Sequence, residues 1–408
     1  PRVRRQRQMC IRDRYSLDER RYNITVIRLS CPESNFRVLF FYIYLGEIMT
    51  DRDYMLRAIS LAKKGTGYTS PNPLVGAVIV KDGRIIGEGY HAIYGDLHAE
   101  RNAIKNLTED AKGATIYVTL EPCCHYGKQP PCTEAILAAG ITKVVIGSRD
   151  PNPLVSGKGT DFLRSHGIEV IEDFMREECD ELNPIFFHYI TEKTPYVVMK
   201  YAMSMDGKIA TRTGSSRYVT NEFSRNEVQK MRHKYRGIMA GIGTVLADDP
   251  MLNTRIEGLR SPVRIICDSE LRIPLNSRIC QTAGEYETII ACGNALQNRI
   301  SALEALGITV LQVPDKTGKV NLTELMYVLH DMKIDSILLE GGGTLNESML
   351  QADLVNEIKV FIAPKVIGGA LAKSPVEGLG IEDIKDAVVF KLINVEKFDD
   401  DILLEYRR

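Results

Sequence analysis

Three short stretches carry the residue types of a hydrolytic metal centre: His98-Ala99-Glu100, Glu121-Pro122-Cys123 and Pro131-Cys132. A zinc site that works on water needs three protein ligands and one open position. His98, Cys123 and Cys132 supply one imidazole and two thiolates, a donor set that suits zinc. Glu100 follows His98 by two residues. That puts a carboxylate near the metal but unbound to it, where it can take a proton from water and give it to a departing amine. A competing reading is a closed structural zinc with four ligands, His125 or Cys124 being the fourth. Cys124 neighbours Cys123 and is expected to point elsewhere, as a small space-filling thiol. His166, His188, His233 and His330 have no partners at ligand spacing and are expected to be ordinary surface or core histidines.

Four further stretches lie in the second half. They are residues 200–208 (KYAMSMDGK), Gly241-Ile242-Gly243-Thr244, residues 247–255 (ADDPMLNTR) and Glu340-Gly341-Gly342-Gly343-Thr344. The last directly follows an apolar run at 336–339. Consecutive glycines between a strand and a helix let backbone N–H groups approach a phosphate at the helix N-terminus. A plain tight turn would read the same way, and the pattern is not the Gly-x-Gly-x-x-Gly of a Rossmann domain.

The elements that must position these residues alternate. A helix is expected over 53–64, then a hairpin of strands 75–80 and 84–89 about Asp82-Gly83. A helix follows over 98–107, a strand over 114–120, a helix over 132–139 and strands over 143–146 and 168–171. Both His98 and Cys132 open helices, where the dipole and free N–H groups favour a thiolate. A polar helix near 173–181 and the stretch 191–195 separate this block from a second. The second opens with a strand at 196–201, with apolar runs at 263–267, 288–292, 308–313, 336–339, 359–363 and near Val388. Strands alternating with helices imply an α/β fold in each block.

The chain has 408 residues, enough for two or three domains, with 44% apolar and 26% charged residues. No apolar run approaches the ~18 residues of a membrane span, so no membrane partner is expected. Nine unevenly spaced cysteines without a secretory signal favour a reducing, cytoplasmic setting in which Cys and His clusters mean metal. Residues 1–48 differ from the rest: ten Arg, no Lys, five acids and a start at Pro1. A basic arm or an Arg-rich transit peptide would have this composition. Residues 4–13 (RRQRQMCIRD) resemble translated sequencing adapter, and the expectation is a non-native extension with Met49 as the true start. From there on the chain has 42 basic and 48 acidic residues, a net charge of −6. Such a chain is poorly suited to binding nucleic acid by neutralising its backbone.

The His-x-Glu and Pro-Cys pattern is the signature of zinc nucleobase deaminases, with one departure: eight residues (CHYGKQPP) separate the two cysteines instead of two. Together with Pro71-Asn72-Pro73-Leu74-Val75-Gly76 and Gly89-Tyr90-His91, residues 51–172 closely resemble the pyrimidine deaminase of riboflavin biosynthesis. That resemblance implies a cytidine-deaminase-like three-layer domain acting on a 2,5-diamino-6-(5-phosphoribosylamino)pyrimidin-4-one. It also implies substrate contacts from Asn72, His91, His125, Lys128, Asp150 and Asn152. Residues 195–406 resemble the reductase half of the same bifunctional enzyme. This implies a dihydrofolate-reductase-like fold using NADPH, with cofactor contacts at Ala202, Tyr218, Thr244, Asp248, Ser269, Gly341, Gly342 and Gly343. Substrate contacts are implied at Ser216, Arg232, Leu252, Arg255 and Glu340, with Lys200 and Asp248 the ionisable pair that assists protonation. Tyr218 stands where the family usually has Trp, and the chain has no Trp.

The expectation is therefore a deaminase over 49–193 and a reductase over 194–408, taking a small-molecule substrate and forming a homo-oligomer. The rivals are a nucleic-acid-acting zinc deaminase with an accessory domain, an organellar form with one dead half, and a zinc-stabilised scaffold that binds nucleotides. The inserted loop and negative charge disfavour the first. Retention of Glu100 and the zinc donors beside Lys200 and Asp248 disfavours the second. Stoichiometric zinc without turnover would favour the third.

Overall fold

The computed structural model describes residues 22–27, 41–47, 49–127, 129–152 and 155–408. Two strands, β1 (Tyr22–Ile27) and β2 (Phe41–Glu47), pair antiparallel. They fall in the stretch 1–48 expected to be an extension, the rest of which lies outside the described residues.

The first sheet has the order β4-β3-β5-β6-β7. Its strands are β3 (Gly76–Lys81), β4 (Arg84–Tyr90), β5 (Thr115–Leu120), β6 (Lys143–Ser148) and β7 (Glu169–Ile171). Side chains alternate across a strand, and here both faces are apolar. Ala77, Ile79, Ile116 and Val118 face one core, which helices α2 (Ala99–Lys105), α3 (Cys132–Ala138) and α4 (Lys158–Ser165) cover. Val78, Val80, Tyr117 and Val145 face the other, covered by α1 (Asp51–Ala62) and α5 (Arg176–Asp180). This is the expected three-layer domain. A capping box between Thr50 and Asp53 starts α1, a feature worth about 1 kcal/mol. Two glycines set the layer spacing. A Cβ on Gly76 would lie 1.9 Å from the Ala58 carbonyl of α1, and one on Gly89 would lie 2.2 Å from the Ala103 nitrogen of α2.

Helix α6 (Pro184–Glu192) was not expected; the sequence suggested only a polar connection ending near Pro195. It has apolar side chains on opposite sides. Phe186 joins the first domain's core, and Ile185 joins a cluster around Tyr196 and Tyr235 of the second. A helix buried from two sides lacks the single apolar stripe that periodicity detects.

The second sheet has nine strands in the order β12-β11-β10-β9-β13-β8-β14-β16-β15. They are β8 (Tyr196–Ser204), β9 (Gly237–Gly241), β10 (Val263–Cys267), β11 (Thr288–Cys292), β12 (Thr309–Gln312), β13 (Ser336–Leu339), β14 (Glu357–Ala363), β15 (Lys391–Phe398) and β16 (Asp401–Arg407). The run from β12 to β14 is parallel, and β16 and β15 close it antiparallel. The strand expected near Val388 begins at Lys391. β9 was missed because its five residues include two glycines, and β16 because its charged residues break the apolar run. Helices α7 (Glu222–Lys234), α8 (Ile242–Asp248), α9 (Arg278–Gln281), α10 (Gln297–Glu304), α11 (Leu322–Asp331) and α12 (Gly343–Gln351) complete the domain.

The first domain meets the second at the amino ends of β8 and β13. The Tyr189 hydroxyl donates to the His330 carbonyl at 3.1 Å, Arg407 pairs with Glu181 at 2.9 Å, and the Tyr68 and His233 rings lie 4.6 Å apart. His188 packs edge-on against Tyr196. Three of the four histidines expected to be ordinary therefore belong to this junction, while His166 is exposed beside Phe162.

Arg264 on β10 is fully buried. Its guanidinium donates to the Thr288 and Thr282 hydroxyls and to the Met251, Ile279 and Tyr286 carbonyls. Burial pulls its pKa down to about 10. Through Met251 it ties down the loop that carries Leu252 and Arg255. Arg264→Met should leave these buried acceptors unpaired and lower stability by about 2–4 kcal/mol. Denaturant unfolding followed by signals from the second domain checks this; a loss below about 0.5 kcal/mol would contradict it.

Candidate active sites

The three metal donors come from three separate elements. His98 is the residue immediately before α2, Cys123 lies in the loop after β5, and Cys132 opens α3 behind Pro131. His98 Nδ1 is 3.5 Å from Cys123 Sγ and 3.3 Å from Cys132 Sγ, and all three donor atoms lie within 4.8 Å of one another. The Cys132 N–H points at Cys123 Sγ at 3.4 Å, and the Thr133 N–H donates to the Cys123 carbonyl at 3.2 Å, so the start of α3 holds the Cys123 loop in place. Cys132 and His98 beside it hold the Cys123 thiol below its usual range, so that it is readily a thiolate, while Cys132 is shifted the opposite way. Among the described residues this group has three members, and His125, although near, is not one of them. An N/S₂ set with no fourth protein ligand fits a zinc with an open position, and not the closed structural site.

Glu100 is 3% exposed, in the first turn of α2. Burial raises its pKa, and the neighbouring Cys123 raises it further. A carboxyl held above its usual range is suited to carrying a proton at neutral pH.

A cavity of about 250 Å³ opens onto these groups. Asn72, His91, His125, Asp150 and Asn152 all line it, while Lys128 lies outside the described residues. His91 is buried, and its burial lowers its pKa, favouring the neutral ring. Its Nδ1 is 3.1 Å from the Leu97 carbonyl and its Nε2 is 3.1 Å from Asn72 Nδ2. This network assigns the proton to Nδ1, so that Nε2 accepts from Asn72. Burial raises Asp150 to about 6, and its Oδ1 accepts from the Asn152 N–H at 2.8 Å.

Four supporting residues escaped the sequence reading. Arg101 donates to the Pro130 and Pro131 carbonyls at 3.1 and 2.9 Å and so anchors the inserted loop. Glu121 accepts from the Gly157 and Gly159 N–H groups, both at 3.1 Å. Phe186 of α6 lines the cavity. Asn346 in the second domain is buried, with its Oδ1 unpartnered. Glu121 lies inside a recognised motif and Arg101 directly follows one, and that proximity was the available signal; Phe186 and Asn346 gave none.

In the second domain a cleft of about 640 Å³ lies at the carboxyl ends of the parallel strands, where open α/β sheets bind ligands. Ser216, Thr244, Asp248, Ser269, Gly342 and Gly343 line it. The glycine run forms a strand–turn–helix corner between β13 and α12. A Cβ on Gly341 would lie 2.6 Å from Asn346 Oδ1, and one on Gly343 would lie 2.4 Å from Glu377. A side chain at either position would have to displace these neighbouring side chains.

Lys200, Arg232 and Glu340 form a buried charge cluster next to the cleft. Arg232 grips Glu340 with two bonds of 2.8 and 3.1 Å, and Lys200 Nζ is 3.4 Å from Glu340 Oε2. Burial pushes the Glu340 carboxyl up, but the Arg232 and Lys200 charges outweigh it and hold the pKa at about 2. Lys200 is therefore ion-paired with Glu340 and not with Asp248, whose carbonyl accepts from Arg217 at 3.2 Å. The remaining expected residues are dispersed. Leu252 is buried with φ +51°, and Arg255 is exposed, its N–H bonded to Gln229 at 3.0 Å. Ala202 is half-buried on β8. Tyr218 is 60% exposed, with the Arg225 guanidinium 4.2 Å from its ring centre.

Residues 48–148 match the family model of the cytidine and deoxycytidylate deaminase zinc-binding region, and residues 195–404 match that of the RibD C-terminal domain. The riboflavin biosynthesis protein RibD of Actinobacillus pleuropneumoniae is 54% identical over 88% of this chain and 95% of its own. RibD of Escherichia coli is 40% identical over 87% and 99%. Among solved structures, a diaminohydroxyphosphoribosylaminopyrimidine deaminase/5-amino-6-(5-phosphoribosylamino)uracil reductase from Thermotoga maritima superposes with a TM-score of 0.78. It is 39% identical, covering 87% of this chain and 97% of the other. The chain belongs to the RibD family of bifunctional riboflavin biosynthesis enzymes, with a zinc-binding deaminase domain followed by a reductase domain.

Proposed function

We propose that residues 49–193 deaminate 2,5-diamino-6-(5-phosphoribosylamino)pyrimidin-4(3H)-one. Residues 194–408 then reduce 5-amino-6-(5-phosphoribosylamino)uracil with NADPH, opening its ribosyl group to ribityl. The observation that carries the first half is the convergence of His98, Cys123 and Cys132 beside the buried Glu100, in one cavity with Asn72 and His91. The three donors would hold zinc, which when bound supplies the Lewis acidity that makes water a nucleophile at neutral pH. Glu100 takes a proton from the attacking water and delivers it to the amino nitrogen on ring carbon 2, which leaves as ammonia while the carbon gains oxygen. The neutral His91 orients the Asn72 amide, whose oxygen remains to accept from a pyrimidine N–H. His125, Asp150 and Asn152, with Lys128, serve the sugar phosphate side.

For the second half, NADPH would occupy the cleft lined by Thr244, Asp248, Ser269 and the glycine corner and would supply a hydride to the former ribose carbon 1; Ala202 and Tyr218 belong to the same reading as cofactor contacts, on family resemblance alone. The exposed Arg255 suits the substrate phosphate; Arg232, its guanidinium committed to Glu340 and the Asn253 carbonyl, completes the substrate's surroundings with Ser216, Leu252 and Glu340. Lys200 Nζ is positioned by Glu340 to deliver a proton as the sugar ring opens, and Asp248 is the second ionisable group on the cleft. Assembly into a homo-oligomer belongs to the same reading; the solvent-facing Ile393 and Val395 on the edge strand β15 support it.

Glu100→Gln should retain about one zinc per chain while ammonia release falls by about 10² to 10⁴. Metal analysis beside an ammonia assay checks this, and an active or zinc-free variant would contradict the role. The two chemistries should also separate. Cys123→Ala should lose zinc and deamination yet oxidise NADPH when given the uracil compound. Lys200→Ala should do the reverse. Parallel loss of both rates in either variant would refute two independent sites.

A further inference from the structure

Asn183 is the residue just before α6, a place where an asparagine side chain ordinarily caps its own helix. Here it makes no such bond. It is 3% exposed, and its amide is spent on another segment altogether: Oδ1 accepts from the Leu74 N–H at 2.7 Å and Nδ2 donates to the Leu74 carbonyl at 2.9 Å. One side chain thus pairs with both backbone groups of a single residue, as a neighbouring strand would. No neighbouring strand is there to do it, because β3 begins only at Gly76.

Leu74 lies between two residues of the deaminase cavity. Two positions before it is Asn72, bonded to His91 through the 3.1 Å contact. One position after it is Val75, whose carbonyl accepts from the His91 N–H at 3.0 Å. The Asn72–His91 pair is therefore strung across a short irregular segment that is fixed in its middle by Asn183. Three residues beyond Asn183, on the same face of α6, Phe186 enters the same cavity. The neighbouring Ile185 packs into the second domain's cluster around Tyr196 and Tyr235, and Tyr189 bonds to the His330 carbonyl. The helix that holds the substrate segment is itself held by the reductase domain.

We propose that Asn183 is a positioning residue for deamination. It fixes Leu74 so that Asn72 and His91 meet the pyrimidine in register, and its own place is set by α6 docking into the second domain. The inference rests on the deaminase reading above. Asn183 touches neither the metal donors nor the reductase cleft, so its loss should be felt in substrate binding rather than in metal content.

The test uses the full-length zinc-loaded chain with Asn183→Ala and Asn183→Asp. For Asn183→Ala, KM for the diamino-pyrimidine should rise about tenfold or more. Zinc should stay near one per chain, and NADPH oxidation with the uracil compound should stay within about twofold. Asn183→Asp keeps an acceptor for the Leu74 N–H but sets a carboxylate oxygen against the Leu74 carbonyl, so its KM should rise as well; it carries the test where the Ala variant fails to accumulate. An unchanged KM in the variant that accumulates would overturn the inference, as would loss of zinc and of both activities together, the mark of a merely structural residue. A wild-type chain that releases no ammonia would overturn the deaminase reading and this inference with it. An active wild type matched by Asn183→Ala would overturn the inference alone.

Discussion

The first domain is organised around one requirement: three donors from three different elements must stay within 4.8 Å of one another while a carboxylate is buried beside them. Two thiols and an imidazole do not hold that arrangement by themselves. The surrounding backbone does it. Gly89 lets α2 press onto β4, which fixes His98 and Glu100, and the first N–H groups of α3 hold the Cys123 loop. Arg101 ties the inserted loop to α2 by the carbonyls of Pro130 and Pro131. Burial of Glu100 follows from the same packing, and that burial raises its pKa above the usual carboxyl value.

The second domain answers a different requirement with a different device. A cofactor-sized cleft needs open backbone at the carboxyl ends of parallel strands, and the Gly341–Gly343 corner provides it. The charges beside the cleft are compensated internally: Glu340 stays ionised because Arg232 and Lys200 together outweigh its desolvation. The deaminase domain docks at the opposite, amino ends of the strands, away from that cleft. Helix α6 spans that junction and contributes side chains to both cores.

Much of the chemistry was legible because it depends on residue types at fixed sequence spacing. His98, Glu100, Cys123 and Cys132 could be read from three short stretches, and the eight-residue insertion narrowed the family. Asn72, His91, His125, Asp150 and Asn152, scattered over some eighty positions, could be grouped only by resemblance, and they do line one cavity. The pairing of Lys200 with Glu340 was not legible, because it depends on the register of β8 against β13. Helix α6 escaped because its apolar residues serve two cores. Asn183 escaped because nothing in a sequence marks a side chain that abandons its own helix to bond a backbone 109 residues away.

The central claim is that one chain performs two successive reactions on one phosphoribosylamino-pyrimidine. It is tested most directly by incubating the wild-type chain with the diamino substrate, with and without NADPH, and reading product masses. Without NADPH the account predicts a product in which one amino group has been exchanged for an oxo group. With NADPH it predicts that same product carrying two additional hydrogens. An unchanged substrate in both arms, or one identical product in both, would contradict it.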